Sequence, residues 1–471
     1  MSEPVRTDED QVEEAAAEDV VYDPVSDLET DIHSALEAGE ESRLRKLLSE
    51  IYAADIADLL ERFSPDERRQ VIDVPRHDFN PDVLAELDDT VREEVIELLG
   101  VEEAAAAVAE LDTDDAVQVI EELDKSDQLE LLAEIPDSDR VLIEEALTYP
   151  DDSAGRMMQR DFVAVPPFWT VGKTIDYIRE HADQDESSLP ETFYDIFVVD
   201  PKHCPVGTIQ LSKILRSKRP TIVSDLMADD MEIIPASMDR EDVAFMFRQR
   251  DLVSAPVVDE DDRLVGAITI DDVVDVIHEE HEEDIMRLGG VREDDLYDAA
   301  IETTRSRFSW LFVNLITAVL ASIVIGLFEG TIDQIVALAI LMPIVASMGG
   351  NAGTQTMTVA VRALAMKELT PTNSLRLIGK ELLVGSFNGI LFAIIIGFVA
   401  WFWFKSPLLG GVIAAAMVIN LIVASIAGTT IPLMLERAGI DPAIASGVLL
   451  TTITDVIGFA AFLGLAAIFL F

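Results

Sequence analysis

Cysteine is almost missing from this 471-residue chain. Cys204 is the only one, which excludes internal disulfides, CxxC redox chemistry and cysteine-rich zinc sites. Bases are scarce as well: 34 lysines and arginines stand against 89 acids, a formal net charge of -55. Such a surplus repels phosphate, so nucleic acid is excluded as a partner and cations or basic surfaces are favoured. No P-loop, nucleophile elbow or cofactor fingerprint occurs, so the chain does not read as an enzyme. The opening MSEPVRTDEDQVEEAAAEDVVYDP lacks the basic and apolar stretches of a signal peptide. Residues 1–25 are expected to form a disordered acidic leader on the cytoplasmic side.

The charge is unevenly placed. From residue 301 onward eight acids meet eight bases, so the whole excess lies in the first 300 residues. One part is an acidic soluble module and the other is apolar. Acidity spread over a soluble surface also suits a very salty cytoplasm, so cation binding has to be argued site by site.

In the apolar part five stretches, about 308–328, 335–364, 382–404, 408–435 and 444–471, are each near or above the ~20 residues needed to span a bilayer. Arg305 and Arg307 precede the first. Arg362, Lys367, Arg376 and Lys380 fill the link between the second and third, whereas Glu329 and Asp333 occupy the first hairpin. By the positive-inside rule the N-terminus is cytoplasmic and five spans leave the C-terminus outside, with Lys405 a small exception.

The last stretch contains TTITDVIGF, in which Asp455 lies eleven residues into a helix, about 16 Å along it and near the middle of a hydrocarbon core about 30 Å thick. The other ionisable residues of this half sit near span ends. A carboxylate at that depth costs roughly 2.5–3.5 kcal/mol and faces a bundle interior, a cavity or a partner. One account is a protonated aspartate joining helices, with Thr451, Thr452 and Thr454 as similar interhelical donors. The other, preferred because no base lies at comparable depth, is a cation site. The second stretch carries PIVASMGGNAGTQTMTVAVRAL, whose Pro343, Gly349, Gly350 and Gly353 predict a bent helix with exposed carbonyls, tolerated in a membrane only beside protein or a wet cavity.

The soluble part opens on an approximate 12-residue repeat: FSPDE at 63, PRHDF at 75, LDDTV at 87, LGVEE at 99, LDTDD at 111, LDKSD at 123 and IPDSD at 135. Each unit predicts a short helix behind an acidic or polar cap, with Ser64, Pro65 and Asp66 as N-cap, first-position proline and first-turn acid. A superhelix of short helices follows. Pro150 and Gly155 in LTYPDDSAGRMM end it.

Two related modules come next. YDIFVVDPKHCPVGTIQLSKIL and VSAPVVDEDDRLVGAITIDDVVDVI align without gaps, each with an aspartate followed seven residues later by glycine, Asp200 to Gly207 and Asp259 to Gly266. The first copy holds about ten extra residues around HADQDESSLP. This is the pattern of a CBS domain pair, a module that senses nucleotides or ions.

Between the pair and the apolar part lies TIDDVVDVIHEEHEEDIMRLGG, a predicted helix with Asp272, Asp275, Glu279 and Glu283 along one edge and Glu280 and Asp284 along another. Like charges at this spacing destabilise a helix unless neutralised, and Mg2+ suits that task directly or through its waters. His278 and His281 lack the HExxH spacing and a third ligand, so they read as solvated surface residues and not as a zinc site.

In this order, the acidic helical domain, YPDDSAGRMM, the CBS pair, the acidic helix, GGNAGTQT, DPAIASG and TTITDVIG make a combination that resembles the MgtE family of magnesium channels and transporters. The resemblance covers nearly everything after the first 25 or so residues. It implies a multidomain chain: an all-α superhelical N domain at 26–150, an α/β CBS pair at 151–275 (151–222 and 223–275), a connecting or plug helix at 276–304, and a five-span α-helical transmembrane domain at 305–471. It further implies a homodimer in the plasma membrane, in contact with lipid, whose pore lies on the two-fold axis between the second and fifth spans.

By resemblance Asp455 is the pore aspartate, Gly350 and Gly353 help line the pore, Thr451 and Gly447 fall where the family's pore-lining small or amide positions lie, and Asp441 is near the cytoplasmic mouth. The gating acids map onto Asp239, Glu241, Asp251, Asp272, Asp275, Glu280, Glu283 and Asp284, with Asp114 in the N domain and Gln118 where an acid is expected one turn on. The resemblance implies Mg2+ both as cargo and as regulator, and ATP as a ligand to be considered at the CBS pair. The alternatives to a Mg2+-gated channel are a proton-coupled transporter with Asp455 as proton carrier, and a CBS-regulated receptor that conducts nothing.

Overall fold

The computed structural model describes residues 24–182, 189, 190, 192–291, 300–369 and 373–470. All but the last two residues of the expected leader, most of the extra loop in the first CBS module and residues 292–299 of the expected connecting segment lie outside them. The chain divides into two compact units, 1–277 and 278–471.

The first unit begins with short helices: α1 (Pro24–Ala38), α2 (Glu41–Leu48), α3 (Ala53–Arg62), α4 (Pro65–Asp73), α5 (Asp82–Glu86), α6 (Asp89–Leu99), α7 (Val101–Val108), α8 (Thr113–Glu121), α9 (Lys125–Glu134) and α10 (Asp137–Ala146). The 12-residue step survives: α4 begins at 65, and α6 to α10 begin at 89, 101, 113, 125 and 137. Where PRHDF predicts a helix, there is only a 3-10 turn, Arg76–Asp78, followed by α5. Pro81 accounts for the break, because a proline drives the residue before it out of the helical region. Each helix buries one stripe, such as Val91, Val95 and Leu99 on α6. Ser64 starts α4 as expected, and its N–H and hydroxyl both donate to Glu67, at 3.0 and 2.6 Å.

The repeat also carries a device that hydrophobic spacing does not reveal. Arg68, Arg92 and Gln128 each lie five residues after the apolar residue that closes the preceding turn, and each donates back to carbonyls there. Arg68 reaches Leu60 at 2.9 Å and Phe63 at 3.3 Å, Arg92 reaches Leu84 at 2.7 Å, and Gln128 reaches Glu121 and Leu123, both at 2.9 Å. Both arginines are buried, and each is neutralised by an acid from a later helix, Glu94 for Arg68 and Glu122 for Arg92. Removing such a side chain strands carbonyls and a carboxylate at once. Arg92→Ala is therefore expected to destabilise the helical domain by about 3 kcal/mol, measured by urea unfolding of the full chain in detergent with a probe in that domain.

The two modules form matching three-stranded sheets, β1 (Ala164–Val165), β2 (Asp195–Val199) and β3 (Pro205–Gln210), then β4 (Ile234–Pro235), β5 (Ser254–Val258) and β6 (Leu264–Thr269). In each, a parallel pair is followed by an antiparallel one, with the same register shift at Val198/Val199 and Val257/Val258. The repeated aspartates close the hairpins: Asp200 accepts from the N–H groups of Lys202 and Cys204, and Asp259 from those of Asp261 and Arg263. The repeated glycines admit close neighbours, since a Cβ at Gly207 would lie 2.9 Å from the Ala228 carbonyl and one at Gly266 2.8 Å from that of Gln159. These contacts cross the expected module border. Ala154 and Met158 pack in the core of the second sheet and Val223 in that of the first, so each module is completed by chain preceding the other. The helices of this region are α11 (Val171–Ala182), α12 (Leu211–Arg216) and α13 (Arg240–Arg250), and α14 (Ile270–Gly289) leads out of it.

In the second unit α15 (Ala300–Gly326), α17 (Ala337–Ala365), α18 (Ser374–Phe404), α19 (Pro407–Arg437) and α20 (Pro442–Phe469) are long and apolar enough to cross a membrane. The first hairpin, with Glu329 and Asp333, is not a simple loop but a short helix, α16 (Glu329–Gln334). α19 is the most enclosed, with Ile413, Ala416, Met417, Leu421 and Ala424 all buried, whereas α15 exposes Phe308, Leu311, Phe312 and Leu315 as a lipid-facing side would.

Candidate functional site

Asp455 lies on α20, half-buried, in an i, i+4 row with Gly447 and Thr451. Among the described residues no lysine or arginine acts on it electrostatically. The threonines divide around it. Thr454 is fully buried and donates to the carbonyls of Leu450 and Thr451, both at 3.1 Å, and Thr452 donates to that of Val448 at 2.6 Å. Thr451 is exposed, with its hydroxyl on the Gly447 carbonyl at 2.9 Å. The threonines thus bond within their own helix, and Thr451 alone of the three stands openly on the side of Asp455.

α17 offers a second polar row. Ser347, Asn351, Thr354 and Thr358 are exposed along one side of an otherwise apolar helix, and Pro343 extends the row by one turn. Nothing within 4 Å would meet a Cβ at Gly350, which opens onto that region of the helix. Gly353 is placed differently: it is buried, and a Cβ there would lie 2.8 Å from Leu450 of α20. Within one chain Gly353 serves the packing of α17 on α20 and does not open beside Gly350. Exposed polar side chains on a spanning helix require a wet cavity or a protein neighbour.

Two charged groups near this site are not evident from sequence pattern. Glu381, eight residues into α18, is buried and accepts from the Thr356 hydroxyl at 3.2 Å, one turn beyond Gly353. It lies deeper in the packing than the expectation of acids only at span ends allows. Arg287, at the end of α14, pairs with Glu283 and lies 2.7 Å from Asp441. Asp441 also caps α20, accepting from Ala443 at 2.7 Å. Asp441 and Glu283, both expected to bind metal, are therefore held by a guanidinium in this arrangement. Asp284 is raised above the usual carboxylate range by burial and by the nearby Asp441 and Glu280.

In the first unit the expected regulatory acids fall into two sets. Asp239 caps the start of α13, accepting from Glu241 at 2.9 Å, and Asp251 ends the same helix in the left-handed conformation, φ 52°. Both are exposed, as the two caps of an 11-residue helix and so about 18 Å apart, so one ion does not bridge them within one chain.

The other set converges. Asp272 opens α14, accepting from the N–H and hydroxyl of Thr269 at 3.2 and 2.8 Å, and lies against Asp114 of α8. Asp114 is buried, and its Oδ1 has no hydrogen-bond partner. Burial and the facing Asp272 push Asp114 well above the usual carboxylate range; the same two causes bring Asp115 to about 7, and burial brings Asp272 to about 6. On α5, Glu86 is raised by burial and by Asp275. Asp115, Glu86 and Asp82 thus belong to this cluster, although pattern reading does not single them out. Among the described residues no three His, Cys, Asp or Glu side chains stand close enough to hold a bare ion.

The sign of the pH dependence follows. A carboxylate whose folded pKa is raised stabilises the closed-up cluster below that value, and this stability is lost between the unfolded value near 4 and the folded one near 7. Without Mg2+, the unfolding temperature of the soluble region is expected to fall as pH rises from about 5 to 8, and added Mg2+ to restore more at pH 8 than at pH 5. Differential scanning fluorimetry at both pH values, with Mg2+ and with EDTA, checks it; an equal Mg2+ effect at the two would contradict it.

A small cleft between the CBS modules is lined by Phe162, Phe193, Tyr194, Asp161, Asp195 and Ser254, with Ser254 donating to Asp195 at 2.7 Å. Among its described lining residues there is no lysine or arginine.

A divalent cation transporter family matches residues 342–465, an intracellular N-domain family matches 51–152, and the CBS domain family matches 223–279. A magnesium transporter of Bacillus subtilis (strain 168) is 30% identical over 92% of this chain and 96% of its own length. One from Enterococcus faecalis is 33% identical over 70% of this chain and 71% of its own. Among solved structures, the cytosolic domain of a Mg2+ channel in complex with ATP aligns with 29% identity over 53% of this chain and 99% of that chain, at a TM-score of 0.49.

Proposed function

The chain belongs to the MgtE family of divalent cation transporters, and on that footing we propose that it is a Mg2+-selective channel of the plasma membrane, closed by cytoplasmic Mg2+. The observation that carries the proposal is Asp455, a membrane-depth carboxylate with no basic partner among the described residues, on a helix packed against α17, whose polar row stays exposed. In a homodimer two such carboxylates face each other across the two-fold axis. Mg2+ gives up its water reluctantly, so two carboxylates and the α17 hydroxyls and amides select it by hydrogen-bonding its water shell.

Closure rests on acids that repel one another when unoccupied. Mg2+ between Asp114, Asp115 and Asp272, and between Glu86 and Asp275, holds the N domain to the start of α14. Mg2+ at Glu280, Asp284 and Asp441 holds the end of α14 to the start of α20. When Mg2+ falls, repulsion releases both contacts, a population shift driven by a ligand with state-dependent affinity. Asp239, Glu241 and Asp251 then act with acids of the second copy. The N-terminus and soluble region are cytoplasmic and the C-terminus external.

A proton-coupled transporter in which Asp455 carries the proton predicts a different energetic requirement. Mg2+ influx into proteoliposomes is expected to continue at an undiminished rate after a protonophore removes the pH gradient, with valinomycin and K+ holding the voltage. Influx that stops with the gradient would favour the coupled transporter.

A further inference from the structure

Asn420 is a fully enclosed polar side chain beside the proposed pore helices that the permeation account does not use. It lies on α19 with no exposed surface. Its Nδ2 donates to the Val345 carbonyl of α17 at 2.8 Å, and its Oδ1 has no hydrogen-bond partner. Its two neighbours are glycines on different helices. A methyl group at Gly349 of α17 would overlap the amide, and one at Gly458 of α20 would lie 2.9 Å from Nδ2 and 3.0 Å from Oδ1. The amide therefore fills a slot that exists because both facing residues lack a side chain.

Leaving one amide oxygen unpaired away from water costs about 1–3 kcal/mol, which an apolar residue of similar size would avoid. Geometry supplies a reason to keep the amide. Gly349 adjoins Gly350, and Gly458 lies three residues, about 4.5 Å, beyond Asp455. A planar, rigid group bonded to α17 and in contact with α20 holds these helices at a fixed separation beside the carboxylate.

We propose that Asn420 is a specificity-determining positioning residue: it sets the spacing of the two pore helices beside Asp455 and thereby the fit of the hydrated divalent ion. This rests on the pore assignment of Asp455. A hydrated ion is recognised by many weak hydrogen bonds at fixed distances, so a small change in helix spacing alters discrimination more than throughput.

The test uses the full-length protein in proteoliposomes, with uptake of Mg2+ and Ca2+ measured separately and normalised to folded protein. Asn420→Leu keeps the volume and loses the bond to Val345, and Asn420→Ala loses both. Each is expected to lower the Mg2+/Ca2+ uptake ratio by about tenfold while retaining Mg2+ uptake. Gly349→Ala is expected to fail alone and to regain Mg2+ uptake, without selectivity, when combined with Asn420→Ala. A wild-type ratio in Asn420→Leu and Asn420→Ala, no rescue in the double variant, or loss of folded protein in both single variants would overturn the proposal. Asp455→Asn run alongside separates the two assignments: if it leaves the ratio unchanged, the pore reading fails; if it abolishes selective uptake while the Asn420 variants behave as wild type, only the role of Asn420 fails.

Discussion

Asp455→Asn is expected to abolish selective Mg2+ uptake, lowering it by about 100-fold or more, while the protein folds and inserts normally. Asparagine keeps the size and much of the hydrogen-bonding capacity of the side chain but removes its charge. In a homodimer both charges disappear together, so the site loses its attraction for a divalent ion twice over. A receptor that conducts nothing predicts intact function, because a neutral side chain at that depth relieves an insertion cost of roughly 2.5–3.5 kcal/mol. Uptake by cells lacking their own Mg2+ transport, together with protein abundance in the membrane, separates the outcomes. Thr451→Val makes a smaller change, since its hydroxyl is already bonded to Gly447.

The second large effect concerns gating. Replacing Asp114, Asp115 and Asp272 together by asparagine removes the carboxylates that Mg2+ is proposed to bridge, and with them the means by which it favours the closed state. The cytoplasmic Mg2+ concentration that half-closes the channel is expected to rise by about tenfold, with the open-state conductance unchanged. Excised-patch recordings at graded internal Mg2+ read both quantities. The same number of neutral substitutions at exposed acids remote from the cluster, such as Glu41, Glu50 and Asp137, is the control. If both sets shift closure equally, the acidity acts as general salt adaptation and the cluster has no special part.

Sequence made the architecture legible where the physics is local. The 12-residue step needs only helix caps and apolar spacing, and eight helices, from Glu41 to Asp137, start on it. It misplaces one unit, where Pro81 overrides the pattern. The Asp–Gly repeat of the CBS pair was readable because a hairpin needs its aspartate and a close approach needs its glycine. The place of Asp455 along α20 is readable because position in a span follows from counting residues.

What was not legible depends on which distant residues meet. Asp114 and Asp272 are 158 positions apart, and only the fold shows that burial brings Asp115 into the same cluster. Arg287, at the end of α14, clasps Asp441 across 154 positions. Gly353 sits in the same GGNAG run as Gly350, but helix rotation buries one and leaves the other open. Periodicity assigns residues to faces; it does not say which face meets a neighbouring helix.

The claim that the ion passes beside Asp455 is tested most directly by Mg2+ flux through purified protein. Wild type and Asp455→Ala, reconstituted at equal density into liposomes with an entrapped Mg2+ indicator and an outward K+ gradient clamped by valinomycin, are given external Mg2+ at equal internal and external pH. The account predicts rapid, voltage-driven influx through the wild type and none above protein-free liposomes through Asp455→Ala; equal influx through both would contradict it.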